Sequence, residues 1–244
     1  ALSSETSFGM PSGHAQMAAS IWGTLAASLK RRWLTIVLIF MILMIGISRI
    51  YLGVHFTSDV LVGWAIGVLL LVVFLSLEKR VAAWFTRKNT EERIVYSIAI
   101  SFVFILLPLL IRFFLQKWEM PAEWIANAIA AAPDHPPAPF NLGGTISIAG
   151  TLLGTLAGLV FQLKRNGMFD ATGAPWQRIL RYLVGMAGML LIWSGLDLLF
   201  PGGESILALI LRYVRYALTG FWMTGLAPLV FQVLKLSNPP TRKS

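Results

Sequence analysis

The 244-residue sequence contains no cysteine, which excludes disulfides, thiolate metal sites and a thiol nucleophile. It is also poor in charge. Only 13% of residues are Asp, Glu, Lys or Arg, about half of what a soluble domain carries, while 57% are hydrophobic and the mean hydropathy is +0.72. One soluble core could not hide so much apolar surface. Acidic residues are scarcer than basic ones, 11 against 20, giving a net charge of +9. In a soluble chain that excess would suggest nucleic acid. In a chain rich in apolar runs it fits basic residues gathered in cytoplasmic loops, and no nucleic-acid partner is expected. No signal-peptide pattern precedes Pro11, and the opening Ala-Leu-Ser-Ser-Glu-Thr-Ser is expected to be a loop within a longer chain.

Seven stretches approach the ~20 apolar residues that cross a hydrocarbon core: 13–29, 33–52, 60–77, 94–111, 142–163, 179–200 and 206–234. The expectation is an all-α, polytopic transmembrane bundle of about seven spans in a lipid bilayer. The last stretch holds Arg212 and Arg215 early, so a short interfacial helix leading into a span from about Tyr213 is expected. Lys30, Arg31 and Arg32 follow the first stretch; Lys79, Arg80, Arg87, Lys88 and Arg93 the third; Lys164, Arg165, Arg178 and Arg181 the fifth; Lys235, Arg242 and Lys243 the last. The alternate loops hold only Arg49, Arg112 and Lys117. These basic loops are then cytoplasmic, and Ser12–His14 and Arg49–Asp59 face outward. The charged segment 78–93 is expected to separate residues 1–77 from a four-span region, 94–244. Gly63 and Gly67, and Gly150, Gly154 and Gly158, are spaced four apart, as at close helix contacts; a lipid groove is the other use of such ridges.

Two polar clusters fall at outward span ends. Pro11-Ser12-Gly13-His14 stands just before a helix that Ser12 can cap, where free backbone amides make an anion site. Ser48-Arg49, then His55, then Asp59 close the second stretch and open the third. On a helical turn, His55 and Asp59 would share one face, so the carboxylate would fix the imidazole tautomer and strengthen its other nitrogen. Arg49 offers a planar fork for phosphate oxygens. The structural alternatives are a capping loop, a surface pair and a snorkelling arginine. Chance Pro-Ser-Gly-His arises in on the order of one chain in a thousand at ordinary residue frequencies, which counts against them jointly.

Those residues, Pro11-Ser12-Gly13-His14 and Ser48-Arg49-x5-His55-x3-Asp59, resemble the second and third signatures of the type 2 phosphatidic acid phosphatase superfamily, over about residues 9–77. The resemblance implies a metal-independent phosphatase without cofactor. His55 would attack phosphorus to form a phosphohistidine and Asp59 would orient it. His14 would protonate the leaving oxygen, and Ser12, the Gly13 amide and Arg49 would hold the phosphoryl oxygens. The implied substrate is a membrane lipid phosphate or diphosphate, of phosphatidate, phosphatidylglycerophosphate or undecaprenyl diphosphate type, cleaved at the outer face of the plasma membrane. The family's first signature, Lys-x6-Arg-Pro, is absent; it is expected upstream of Ala1 with about three spans. A lipid-binding or lipid-translocating protein with a degenerate phosphatase half is the competing expectation. His135, in a proline-rich outward loop over 112–141, is expected to be solvated, and Asp197, Arg212 and Arg215 to pair with one another.

Overall fold

The computed structural model describes residue 6 and residues 8–131, 133–134, 136–167 and 169–237. The rest of the opening loop, His135, Arg242 and Lys243 lie outside them. Among the described residues the regular structure is entirely helical: α1 (Gly13–Leu29), α2 (Arg32–Tyr51), α3 (Thr57–Arg87), α4 (Thr90–Phe114), α5 (Ala122–Ala131), α6 (Gly143–Asn166), α7 (Pro175–Leu199), α8 (Ile206–Phe221), a π-helical turn (Trp222–Leu226) and α9 (Ala227–Val233). Only helices and closed barrels satisfy every backbone group in hydrocarbon, which is why Val- and Ile-rich runs are helical here. Six segments among the described residues are long and apolar enough to span: α2, α3, α4, α6, α7 and the continuous run Ile206–Val233. The first expected stretch forms α1, whose 17 residues sit at the short limit for crossing. The chain is a multi-pass membrane protein.

The chain divides into two compact units, Ala1–Arg87 with Trp118–Phe140, and Lys88–Lys117 with Asn141–Ser244. In the first, α1 packs on α2 and α3. Its interior includes small residues, Ala15, Ala18, Ala19, Gly63 and Gly67, alongside Val60 and Leu38, while Ile36, Phe40, Leu69 and Val72 are exposed to where lipid would lie. Lipid tails are as apolar as leucine, so close van der Waals approach, and not hydrophobic burial, joins such helices. A Cβ on Gly63 would stand 2.6 Å from the Ser12 carbonyl oxygen, and one on Gly67 2.5 Å from that of Gln16. Ser20 Oγ donates to the Gly67 carbonyl across the same seam, at 3.2 Å.

In the second unit α6 packs on α8, α4 and the π-helical turn. Gly150 faces the Tyr213 carbonyl, Gly154 that of Ala217, and Gly158 the Thr224 hydroxyl. Both glycine ridges are therefore helix contacts, as their spacing predicts. Asn89 caps α4 by accepting from Glu92 N at 2.8 Å, while the Glu92 carboxylate accepts from Asn89 N at 3.0 Å. The same carboxylate raises the Lys88 ammonium pKa above its usual value.

Two local expectations change, and the charged segment 78–93 takes a helical form. Most of the charged segment 78–93 is helix, because α3 runs 31 residues to Arg87 and α4 starts at Thr90; Glu, Lys, Arg and Ala are good helix formers, and only Lys88-Asn89 breaks the run. No break falls near Tyr213, where Leu, Ile and Ala sustain the helix; the irregular turn comes later, beside Gly225 and ahead of Pro228. The loop 112–141 contains α5, an alanine-rich helix of nearly three turns that its flanking prolines masked.

Candidate active site

The site is built where α1 and α3 begin. Ser12 N donates to the Asp59 carbonyl at 3.0 Å, tying together two motifs 47 residues apart in sequence. The glycine seam lets this bond form, since any side chain at Gly63 would push the Ser12 backbone away. Ser12 occupies the N-cap position of α1 with extended backbone (φ −66°, ψ 109°). Its hydroxyl does not make the expected cap bond. It is fully buried (0% exposed) and has no hydrogen-bond partner among the described residues. Gly13 and His14 follow it on the exposed start of α1, and a Cβ on Gly13 would meet nothing within 4 Å. Backbone amides of that first turn thus stand beside open space, an arrangement suited to an anion.

His55 and Asp59 are brought together, though not by a shared helical face. His55 lies in the bend before α3, and Asp59 is in the first turn. The Asp59 carboxylate reaches back to accept from Phe56 N at 2.9 Å, the acidic half of a capping box, and Ser58 Oγ lies 3.4 Å from its other oxygen. This fold-back leaves His55 Nδ1 3.6 Å from Asp59 Oδ2, with the two residues 8% and 5% exposed. That separation suits an ion pair and is too long for a hydrogen bond, so Nδ1 is buried without a hydrogen-bond partner.

Arg49 sits in the last turn of α2, half-buried, with Nε and Nη2 each 3.4 Å from Ser48 Oγ. Its carbonyl accepts from Val54 N at 3.2 Å, and Gly53, at φ +72°, makes the turn that returns the chain to His55. A side chain there would strain the turn. Sequence reasoning passed over Gly9: a Cβ on it would lie 3.3 Å from Asp59 Oδ2, so this glycine lets the opening loop pass over the carboxylate. Nothing in its local sequence marks that role.

Of the other polar residues, Arg215 and Asp197 form the expected ion pair, with Arg215 also over the Tyr216 ring at 5.2 Å. Arg212 does not join them; its guanidinium lies 3.4 Å from where a Cβ on Gly143 would be.

Residues 2–83 match the PAP2 superfamily, and residues 146–239 match the PAP2 superfamily phosphatase transmembrane extension. Both halves of the chain thus resemble PAP2 superfamily phosphatases. All six candidate residues fall inside the first PAP2 match, and the second covers most of the region that the motifs alone leave unassigned. Phosphatidylglycerophosphatase B of Bacillus subtilis (strain 168) is similar at 34% identity over 86 residues, 32% of this chain and 42% of that relative. The chain thus spans about two fifths of that relative's length. No solved structure matches the chain.

Proposed function

We propose that this chain forms part of a membrane phosphatase that hydrolyses a lipid phosphate or diphosphate monoester. The observation that carries the reading is the junction of Ser12 with Asp59. It gathers a dry, unpartnered hydroxyl, a first turn of free amides and a buried histidine–carboxylate pair at one pair of helix ends. Buried polar groups without partners are uncommon, and at this position they fit oxygens of a phosphoryl group.

In the proposed reaction His55 Nε2 attacks phosphorus while Asp59 faces Nδ1 and stabilises the imidazolium that forms. The bond from phosphorus to the leaving oxygen breaks, and His14 supplies its proton. Ser12, the Gly13 amide and Arg49 hold the remaining phosphoryl oxygens, where charge builds in the transition state. Water then displaces phosphate from the phosphohistidine, and His14 takes its proton. The likeness to a phosphatidylglycerophosphatase favours a glycerophospholipid phosphate over an isoprenoid diphosphate. In this reading residues 1–77 carry the C-terminal half of the catalytic core, 78–93 link it, and 94–244 add four spans.

The test uses the full-length protein. His55→Ala abolishes turnover and any acid-labile phosphoenzyme. His14→Ala slows a lipid phosphate more than an aryl phosphate with a good leaving group, by a gap of about 10²–10⁴-fold, the usual worth of general acid catalysis. Phosphoenzyme persisting in His55→Ala rejects the nucleophile, and equal slowing of both substrates rejects the acid.

The loop charges favour the outer face of the plasma membrane for this site. Cysteines placed at Thr57 and Asn141 then react with an impermeant label in intact cells, and one at Asn89 or Asn166 does not. Labelling at Asn89 before lysis reverses the orientation.

A further inference from the structure

We infer that the segment 118–140 is a lipid-recognising arm of the candidate site, with α5 seated in the head-group layer and fixed by aromatic rings to the loop that carries Ser12. The inference rests on the phosphatase reading and adds an element that none of the motif residues supplies. Phe8, Trp118 and Phe140 form a closed set of edge-on ring contacts: 5.7 Å between Phe8 and Trp118, 6.1 Å between Phe8 and Phe140, and 5.7 Å between Trp118 and Phe140. Ala138 N donates to the Thr6 carbonyl at 2.8 Å beside them. Both ends of the segment are therefore held at Phe8. One residue further lies Gly9, against the Asp59 carboxylate, and three beyond that is Ser12.

Between the two ends, α5 is amphipathic and uncovered. Trp124, Ala128, Ile125 and Ile129 fall on adjoining rows of its surface, and Glu123 and Asn127 lie opposite. Trp124 is 58% exposed and Ile129 43% exposed. Ten residues reach about 15 Å, half of the hydrocarbon core, so α5 cannot cross it. It connects to spans on both sides, α4 and α6, so its apolar face lies at a span end, where tryptophan prefers the head-group level. An apolar row with a polar back at that depth is the pattern of a helix lying in the interface. The occupant of that face is phospholipid at the head-group and acyl boundary. A lipid substrate would present its phosphate to the loop while its neighbours bed the arm.

The decisive comparison is between a lipid phosphate in vesicles and a soluble aryl phosphate, with the full-length protein in proteoliposomes. Ile129→Glu alters an exposed position and leaves the catalytic residues in place. It is expected to raise KM for the lipid phosphate about tenfold, with kcat and the aryl phosphate kcat/KM unchanged. An unchanged lipid KM, or equal losses on both substrates, overturns the inference. A second measurement needs no turnover. The sequence has no cysteine of its own, so Ile129→Cys can carry a single polarity-sensitive fluorophore. A blue-shifted emission in the bilayer is expected, and a water-like spectrum overturns the seat of α5. Blue-shifted emission in a protein idle on both phosphates would keep the interfacial helix but remove its role in recognition, together with the phosphatase reading.

Discussion

The two units use the same packing device and differ in where their unmatched buried polar atoms fall. Each closes a helix pair over glycines: Gly63 and Gly67 in the first, Gly150 and Gly154 in the second. In the first unit, that closure ends at Ser12 Oγ and His55 Nδ1, both buried without hydrogen bonds. In the second, buried polar groups mostly answer one another. Ser101 Oγ reaches the Ala149 carbonyl at 2.8 Å and the Tyr213 hydroxyl at 2.7 Å. Arg181 donates to the carbonyls of Asp170, Ala171 and Thr172, and Arg215 meets Asp197. Gln162 with both amide atoms, Arg215 with Nε and Ser237 with Oγ are exceptions, buried without a partner. Close glycine packing is thus a scaffold common to both; in the first unit two unmatched atoms belong to motif residues, Ser12 and His55, and in the second the unmatched atoms lie on no motif.

The sharpest way to break this comparison is to crowd each seam in turn. Gly63→Val drives a side chain into the Ser12 carbonyl, and an ångström of displacement there should cost about 10²-fold in kcat. Gly154→Val meets the Ala217 backbone instead. It should lower thermal stability and leave kcat of the folded fraction unchanged. Equal kcat losses in the two variants, measured against the amount of folded protein, would erase the distinction.

A smaller effect sharpens it with opposite signs. Ser12→Ala removes a hydroxyl that is dry and unbonded, so stability should rise by about 1 kcal/mol while activity falls. Ser101→Ala strips two bonds and strands the Tyr213 hydroxyl, so stability should fall by about 1–2 kcal/mol with kcat kept. Denaturation in detergent reads both. A Ser12→Ala protein less stable than its parent would show that the hydroxyl is satisfied after all.

The candidate site was legible in the sequence because it consists of residue types at fixed spacing: Ser12, Gly13, His14, Arg49, His55 and Asp59. The all-helical membrane architecture followed from the apolar runs. What remained hidden depends on directions of the chain. The four-residue spacing of His55 and Asp59 suggested a helical face, whereas a cap fold-back brings them together. Ser12 looked like a cap, and its hydroxyl turns away from that duty. The rings of Phe8, Trp118 and Phe140 meet across more than a hundred residues, and no local pattern announces such a contact. Glycine spacing, by contrast, reported helix packing directly, because four-residue periodicity is itself geometry.

The length of α3 has a consequence for the bilayer itself. Its 31 residues run about 46 Å, well beyond a hydrocarbon core of about 30 Å. Its uncharged stretch lies between Asp59 at one end and Glu78 at the other, about 27 Å along the axis. The helix therefore acts as a ruler with a charged stop at each mark. Where the membrane is thicker than that interval, lipid must thin or Asp59 must sink below the phosphate plane; where it is thinner, tilting lifts the mismatch. Acyl-chain length thus sets the depth at which His55 and Asp59 stand relative to the head groups they would act on.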